Sequence, residues 1–282
     1  MRKFRYTVCD VFTDVPLAGN QLAVFTDGRD LTAAEMQSLA REMNFSETVF
    51  VLPATVDDAD VRIRIFTPAL ELPFAGHPTL GSAFVLGGPL SKIVIRLEMG
   101  AGVVPVELER EGPRIVFGWM EQPLPNWQPV ANADEIAAAL GVTGSSLPVE
   151  RYDLGPGHVY LELESPEAVA AVAPDFNALL RASGDGVNTF ARDGKGWKTR
   201  MFAAGHGVNE DPATGSAAGP LAVHLARHGR IAFGEEIEIT QGTEINRPST
   251  LFAVAEGTAE KLERVRVGGS AVIVARGEFT LS

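Results

Sequence analysis

The chain is poor in cysteine and in positive charge. Cys9 is the one cysteine in 282 residues, so no disulfide can close within the chain, and a reducing compartment, the cytoplasm, is expected. Lys and Arg number 24 against 36 Asp and Glu, a formal net charge of -12. Nucleic acid and anionic membrane are therefore excluded as partners, because both require clustered cations to neutralise phosphates. No apolar run approaches the length of a membrane span, and MRKFRYTVCD has neither the long apolar stretch nor the small-residue cleavage site of a signal peptide. Nucleotide and metal signatures are missing as well. GHGVNE at Gly205 lacks the third glycine of a dinucleotide fingerprint, and no GK[ST] follows a glycine loop. GSAAG around Ser216 is not GxSxG, and HLARH, which sets His224 and His228 four apart, lacks the glutamate of a zinc-protease helix. No cofactor and no metal are expected, and His224 and His228 are read as structural.

What is present is a repeat. ELPFAGHPTLGSA, from Glu71, is answered by EDPATGSAAGP, from Glu210, with Gly76 and Gly215 offset by 139. Gly19-Asn20 and Gly157-His158 are offset by 138, Glu47-Thr48 and Asn188-Thr189 by 141, and Arg64-Ile65-Phe66-Thr67 and Arg200-Met201-Phe202-Ala203 by 136. Four features at nearly one offset, about half the chain, indicate two pseudo-symmetric domains rather than a solenoid array. The expected boundaries are residues 1–124, possibly joined by a returning C-terminal strand at 270–282, and residues 125–282. Pro123, Pro125 and Pro129 mark a linker between them, and the active site is expected in the cleft.

Within each half, short strands outnumber helices. Phe4 to Phe12 alternates as a half-buried strand, and Gln21 to Phe25 follows. Thr32 and Glu35 form a capping box with a Leu31/Met36 staple, which predicts a helix from Ala33 to about Met43 that delivers Phe45-Ser46-Glu47. The helix Pro78 to Leu86 is apolar nearly all round and should be buried, as should Ala217 to His228. Asn132 with Glu135 should cap a helix ending at Gly141. The fold class is α+β, in two barrel-like halves each around a central buried helix.

Three ionisable residues stand at the repeat's turns. Glu47, among Phe45, Val49 and Phe50, is a candidate general base, since apolar surroundings raise a carboxylate's pKa toward the working pH. It could equally be a surface residue at a helix end. His77 and Asp211 flank the glycine turns, where each could serve only as a helix cap. The turns Gly76-His77 and Gly215-Ser216 can cradle an anion on unpaired N–H groups. Taken together, the three residues point to a site for a small carboxylate.

AREMNFSET, RIRIFTP, ELPFAGHP, MEQPLPNW, GVNEDPATGSAAGPLAVHLARH and QGTEINRPS, spread over nearly the whole chain, resemble the PhzF family, whose fold is shared with diaminopimelate epimerase. The resemblance implies a homodimer and a last strand, Ala271 to Leu281, that crosses back to the first half. It implies Glu47 as general acid/base, His77 and Asp211 beside it, and Gly76, Gly215, Ser216 and Ser46 as substrate-binding positions. The epimerase branch carries two cysteines where this chain has Ala75 and Thr214, so two-thiol racemisation does not apply. A cofactor-independent isomerase is therefore expected, moving a proton on a small cyclic amino or hydroxy acid, most simply trans-2,3-dihydro-3-hydroxyanthranilate. The alternatives are an isomerase or epimerase of another small acid, and a non-catalytic acid-binding protein.

Overall fold

The computed structural model describes residues 1–281, with His206 described in its backbone alone. The chain divides into two compact units, one formed by Met1–Glu121 with the segment from Gly268 onward, the other by Gln122–Val267. Each is α+β, as expected. Among the described residues no helix is long and apolar enough to cross a membrane.

The first unit runs β1 (Arg2–Val11), β2 (Asn20–Phe25), α1 (Ala33–Met43), β3 (Glu47–Leu52), β4 (Val61–Phe66), β5 (Glu71–Leu72), α2 (Gly76–Leu90), β6 (Val94–Met99), β7 (Gly102–Glu111) and β8 (Arg114–Glu121). The second runs β9 (Asn126–Pro129), α3 (Ala133–Leu140), β10 (Glu150–Asp153), β11 (Gly157–Glu162), α4 (Pro166–Ala171), α5 (Phe176–Ala182), β12 (Gly186–Asp193), β13 (Gly196–Ala203), β14 (Val208–Asp211), α6 (Gly215–Arg227), β15 (Glu236–Gln241), β16 (Ser249–Gly257) and β17 (Leu262–Gly269). The final strand, β18 (Ala271–Leu281), pairs antiparallel with β1 from Arg2↔Leu281 to Val11↔Ala271 and so belongs to the first unit.

The repeat is legible in the strand ladders. In the first unit β2 pairs parallel with β3, β3 antiparallel with β4, β4 parallel with β6, and β6 antiparallel with β7. The second unit repeats this with β11, β12, β13, β15 and β16. Register then gives residue-by-residue equivalents. Leu22 faces Glu47 as Tyr160 faces Asn188, and Leu97 faces Val61 as Ile239 faces Trp197.

Helix α1 forms for local reasons. Thr32 accepts from the Glu35 N–H while the Glu35 carboxylate accepts from the Thr32 N–H, and Met36, Leu39 and Ala40 line one buried face. That face packs on Phe25, Phe50 and Phe66, with the Phe25 and Phe50 rings stacked 4.8 Å apart. Burying each such side chain contributes about 2 kcal/mol. Asn44 closes the helix in the left-handed conformation, φ 52°, and turns the chain straight into β3.

Helix α2 is buried over most of its length, including Gly76 to Val85 without a break. Close packing is what admits Gly81: a Cβ there would lie 2.7 Å from Leu22 Cδ2 and Val11 Cγ2. Both central helices begin earlier than expected, α2 at Gly76 and α6 at Gly215. A proline lacks only an N–H that the first turn leaves unbonded in any case, so Pro78 sits as the third helical residue. His77 is accordingly not the cap, which is Ala75. Two further expectations hold only in part. Asn132 is the N-cap of α3 as expected but makes no side-chain cap bond, because its amide donates to the Ala182 carbonyl at 2.8 Å. The stretch carrying Pro129 is not only linker, since β9 pairs with β10 from Asn126↔Asp153 to Pro129↔Glu150.

Candidate active site

Glu47 is the first residue of β3, and its side chain is 15% exposed. The αL cap at Asn44 and the pairing of Glu47 with Leu22 fix where it emerges, directly after Ser46. His77, second residue of α2 and 3% exposed, places Nε2 3.5 Å from Glu47 Oε2. On its other side the Asn20 amide nitrogen lies 3.1 Å from His77 Nδ1. An amide NH2 can only donate, so Nδ1 accepts and the ring hydrogen sits on Nε2, facing Glu47. Burial outweighs the opposing pull of the Gln21 backbone and takes His77 down to about 3. The imidazole is therefore neutral at pH 7, and at 3.5 Å it faces the Glu47 side chain as a neutral ring, not as half of an ion pair.

That neutrality has a measurable consequence. A histidine whose folded pKa lies below its unfolded value of 6.5 adds stability that is full above pH 6.5 and is lost as pH falls toward 3. The loss is about 1.4 kcal/mol per pH unit for each such group. Replacing His77 by Asn should therefore flatten the dependence of unfolding free energy on pH by about that amount between pH 6 and roughly 4.5. Urea melts across this range check it, and an unchanged slope would mean that His77 is charged in the folded protein.

In the second unit Asp211 closes β14 and is buried, with its Oδ2 accepting from the Thr214 hydroxyl at 2.6 Å. Gly215 and Ser216 open α6, and the Ser216 hydroxyl lies 3.0 Å from His158 Nε2. The pair His158/Ser216 thus occupies the positions that Asn20/His77 hold in the first unit. Neither Ala75 nor Thr214 caps its helix with a side chain. Among the described residues no backbone carbonyl outside the helices accepts from the N–H of Gly76, His77, Gly215 or Ser216. First-turn N–H groups of this kind are the donors an anion can use.

The two units are not chemically equal. The equivalent of Glu47 is Asn188, which is 3% exposed and donates its amide to the Val159 carbonyl at 3.2 Å. One unit carries a carboxylate at this position, the other a backbone-bound amide. Cys9 is fully buried with its thiol pushed well above its ordinary pKa, which leaves it unsuited to act as a thiolate.

Sequence reasoning missed several supports. Arg64 grips Glu71 with two bonds of 2.7 and 2.6 Å and lies over the Phe66 ring, while Arg200 grips Glu210 at 2.9 and 2.8 Å and lies over Phe202. Each clip closes the hairpin that leads into a glycine turn. The repeated RIF and RMF triplets signalled the arginines but not their distant partners. Asn20 and His158 were visible as a repeat and not as site residues. His224 and His228 converge on Glu150, with contacts of 3.2 and 3.1 Å to its Oε2. These three place ligand-type atoms within 4.8 Å of one another, but Arg227 Nη1 stands 2.6 Å from the same oxygen and supplies the positive charge there.

Residues 9–277 match the family described as phenazine biosynthesis-like protein. The chain is 49% identical over 276 residues to a trans-2,3-dihydro-3-hydroxyanthranilate isomerase of Pseudomonas fluorescens, covering 98% of this chain and 99% of that one. It is 50% identical over 277 residues to the protein of that name from Pseudomonas aeruginosa, with the same coverage. Among solved structures, a PhzF-family phenazine biosynthesis protein of Bacillus anthracis superposes with a TM-score of 0.86 at 27% identity, covering 100% of both chains. A probable proline racemase from Agrobacterium radiobacter, at 13% identity and a TM-score of 0.72, shares the fold. On this evidence the chain belongs to the PhzF family of phenazine biosynthesis-like proteins.

Proposed function

We propose that this protein is a trans-2,3-dihydro-3-hydroxyanthranilate isomerase of phenazine biosynthesis, working without a cofactor. Glu47 takes the proton from the hydroxyl-bearing carbon of the substrate and delivers it to the ring carbon bearing the carboxylate. One C–H bond breaks, one forms, the double bond shifts, and the enol that results becomes a ketone. His77, neutral and donating through Nε2, and Asp211 orient the hydroxyl and amino groups. Ser46 and the N–H groups of Gly76, Gly215 and Ser216 hold the carboxylate. In this reading the two units serve one substrate, and the protein is a cytoplasmic homodimer.

The observation that carries the chemistry is the asymmetry at one repeat position. Inversion of a stereocentre needs an acid and a base on opposite faces of the substrate, and the family's thiol branch supplies one from each half. Here one half offers Glu47 and the other a buried, backbone-bound Asn188. A single carboxylate that removes a proton and returns it fits isomerisation. The near 50% identity to the named isomerases over almost the full length supports the substrate.

The test is incubation with trans-2,3-dihydro-3-hydroxyanthranilate, followed by ultraviolet absorbance and by mass spectrometry in heavy water. The expected result is loss of the substrate's conjugated absorbance, with any exchanged label confined to the ring carbon bearing the carboxylate. An unchanged spectrum at high enzyme concentration would reject this substrate, and label at the hydroxyl-bearing carbon alone would favour an epimerase. Light scattering with chromatography decides the dimer.

A further inference from the structure

The glycine turn of the second unit rests on a closed polar network that the first unit lacks. Gln241, the last residue of β15 and 4% exposed, uses its whole amide. Its Nε2 donates to the Asp211 carbonyl at 2.8 Å and to Thr214 Oγ1 at 2.9 Å. Its Oε1 accepts from the Thr214 N–H at 3.2 Å and the Thr199 hydroxyl at 3.3 Å. A hydroxyl has one hydrogen. Because Gln241 already donates to Thr214 Oγ1, that hydrogen is directed to Asp211 Oδ2, 2.6 Å away. The chain of donors runs Gln241 to Thr214 to the Asp211 carboxylate.

Strand register identifies what the first unit has at the same four places. Leu97 and Ile239 are equivalent in their parallel pairings, which puts Met99 opposite Gln241. Ile65 pairs with Leu72 as Met201 pairs with Asp211, so Leu72 answers Asp211. Ala75 and Thr214 are the two N-caps, and Ile63 and Thr199 each stand two residues beyond Val61 and Trp197, which open the matching parallel pairings. Thr199, Asp211, Thr214 and Gln241 therefore replace Ile63, Leu72, Ala75 and Met99. The same strand, turn and helix form from apolar residues in the first unit, so the fold does not require the polar set. Burying polar groups costs free energy unless every one is satisfied, and here the reward is direction: the network fixes where one carboxylate points.

We propose that Gln241 and Thr214 are positioning residues that orient the Asp211 carboxylate toward the substrate. This rests on Asp211 serving the isomerase reaction proposed above. The test is a double-mutant cycle on kcat/KM using the other unit's own solutions, Gln241→Met and Thr214→Ala, each made with Asp211 intact and with Asp211→Asn. Misplacing a substrate-orienting group by about 1 Å costs up to about a hundredfold, so each should lower kcat/KM by about ten- to a hundredfold with Asp211 present. With Asp211→Asn already in place they should add almost nothing, because all act through one carboxylate. Thr214→Ser, which restores the hydroxyl, should recover most of the rate. Equal losses in both backgrounds, or no loss in either, would overturn the proposal. If Gln241→Met fails to fold, the comparison of Thr214→Ala with Thr214→Ser decides alone. Should the wild-type protein not turn over this acid, the functional reading fails and a crystal structure of Thr214→Ala decides the orientation. An Asp211 carboxylate that keeps its wild-type rotamer there overturns the proposal, and one that turns away supports it.

Discussion

Glu47→Gln is expected to lower turnover by about two to four orders of magnitude while leaving substrate affinity nearly unchanged. Glutamine has the size of glutamate and keeps a hydrogen-bonding oxygen to face the His77 N–H, but it cannot take a proton from carbon. The surroundings should not collapse. Glu47 is anchored by its backbone in β3, between β2 and β4, and that pairing does not depend on the carboxylate. A residue that only closed the loop after α1 would cost at most about 1 kcal/mol on substitution and leave turnover intact. Rate, affinity and melting temperature measured side by side separate the two roles. A folded Glu47→Gln protein that kept more than about a tenth of wild-type turnover would remove Glu47 as the base, since placed proton transfer is worth more than that. It would also remove the reason to prefer an isomerase to a protein that merely binds the acid.

How far the sequence led to this residue depended on where the causes lie. Helix α1 was readable to both ends, because Thr32, Glu35 and the Leu31/Met36 staple act within one turn. Glu47 followed from it by proximity in the chain. The glycine turns were readable because the molecule states them twice. The exact helix starts were not, since Pro78 marks only a first turn and fits three places within it. Strands β9 and β10 were invisible for another reason: neither has an alternating pattern of apolar residues, and β9 exists through a ladder partner more than twenty residues away. Gln241 belongs to the same class. Nothing near it in QGTEINRPS says that its amide will meet Asp211 and Thr214, and only strand register shows that Met99 takes its place in the other unit. Sequence offsets located Asn188 beside the Glu47 motif, but its meaning as an amide in place of a carboxylate came from the matching parallel ladders.

Glu150→Ala should produce the largest loss of stability, about 3 to 5 kcal/mol, because it strips the acceptor from a buried set of donors. Glu150 is 6% exposed, and its Oε2 accepts from Tyr152 at 2.9 Å, Arg227 at 2.6 Å, His228 at 3.1 Å and His224 at 3.2 Å. Arg227 also lies 4.2 Å above the centre of the Trp127 ring, so it cannot leave for water without giving up that contact. Without Glu150 the guanidinium stays partly buried beside two imidazoles and a phenol, with no anion among the groups that converged on it. Desolvation alone would raise the Glu150 pKa, but the four donors outweigh it and hold the carboxylate well below its ordinary range. A carboxylate depressed on folding contributes stability that is full above its unfolded value of about 4.5 and is lost as pH falls. The gap between wild type and Glu150→Ala should therefore be widest and constant from about pH 5 to 7 and should narrow in acid. At pH 7 it should appear as a melting temperature lower by on the order of 10 °C. Because no part of the proposed chemistry runs through Glu150, turnover per folded molecule should persist at temperatures well below the melt. Thermal melts of both proteins at pH 7 and pH 4 are the measurement, and a difference under about 1 kcal/mol at pH 7 would mean that the cluster is an ion pair of the surface kind, worth little to the fold.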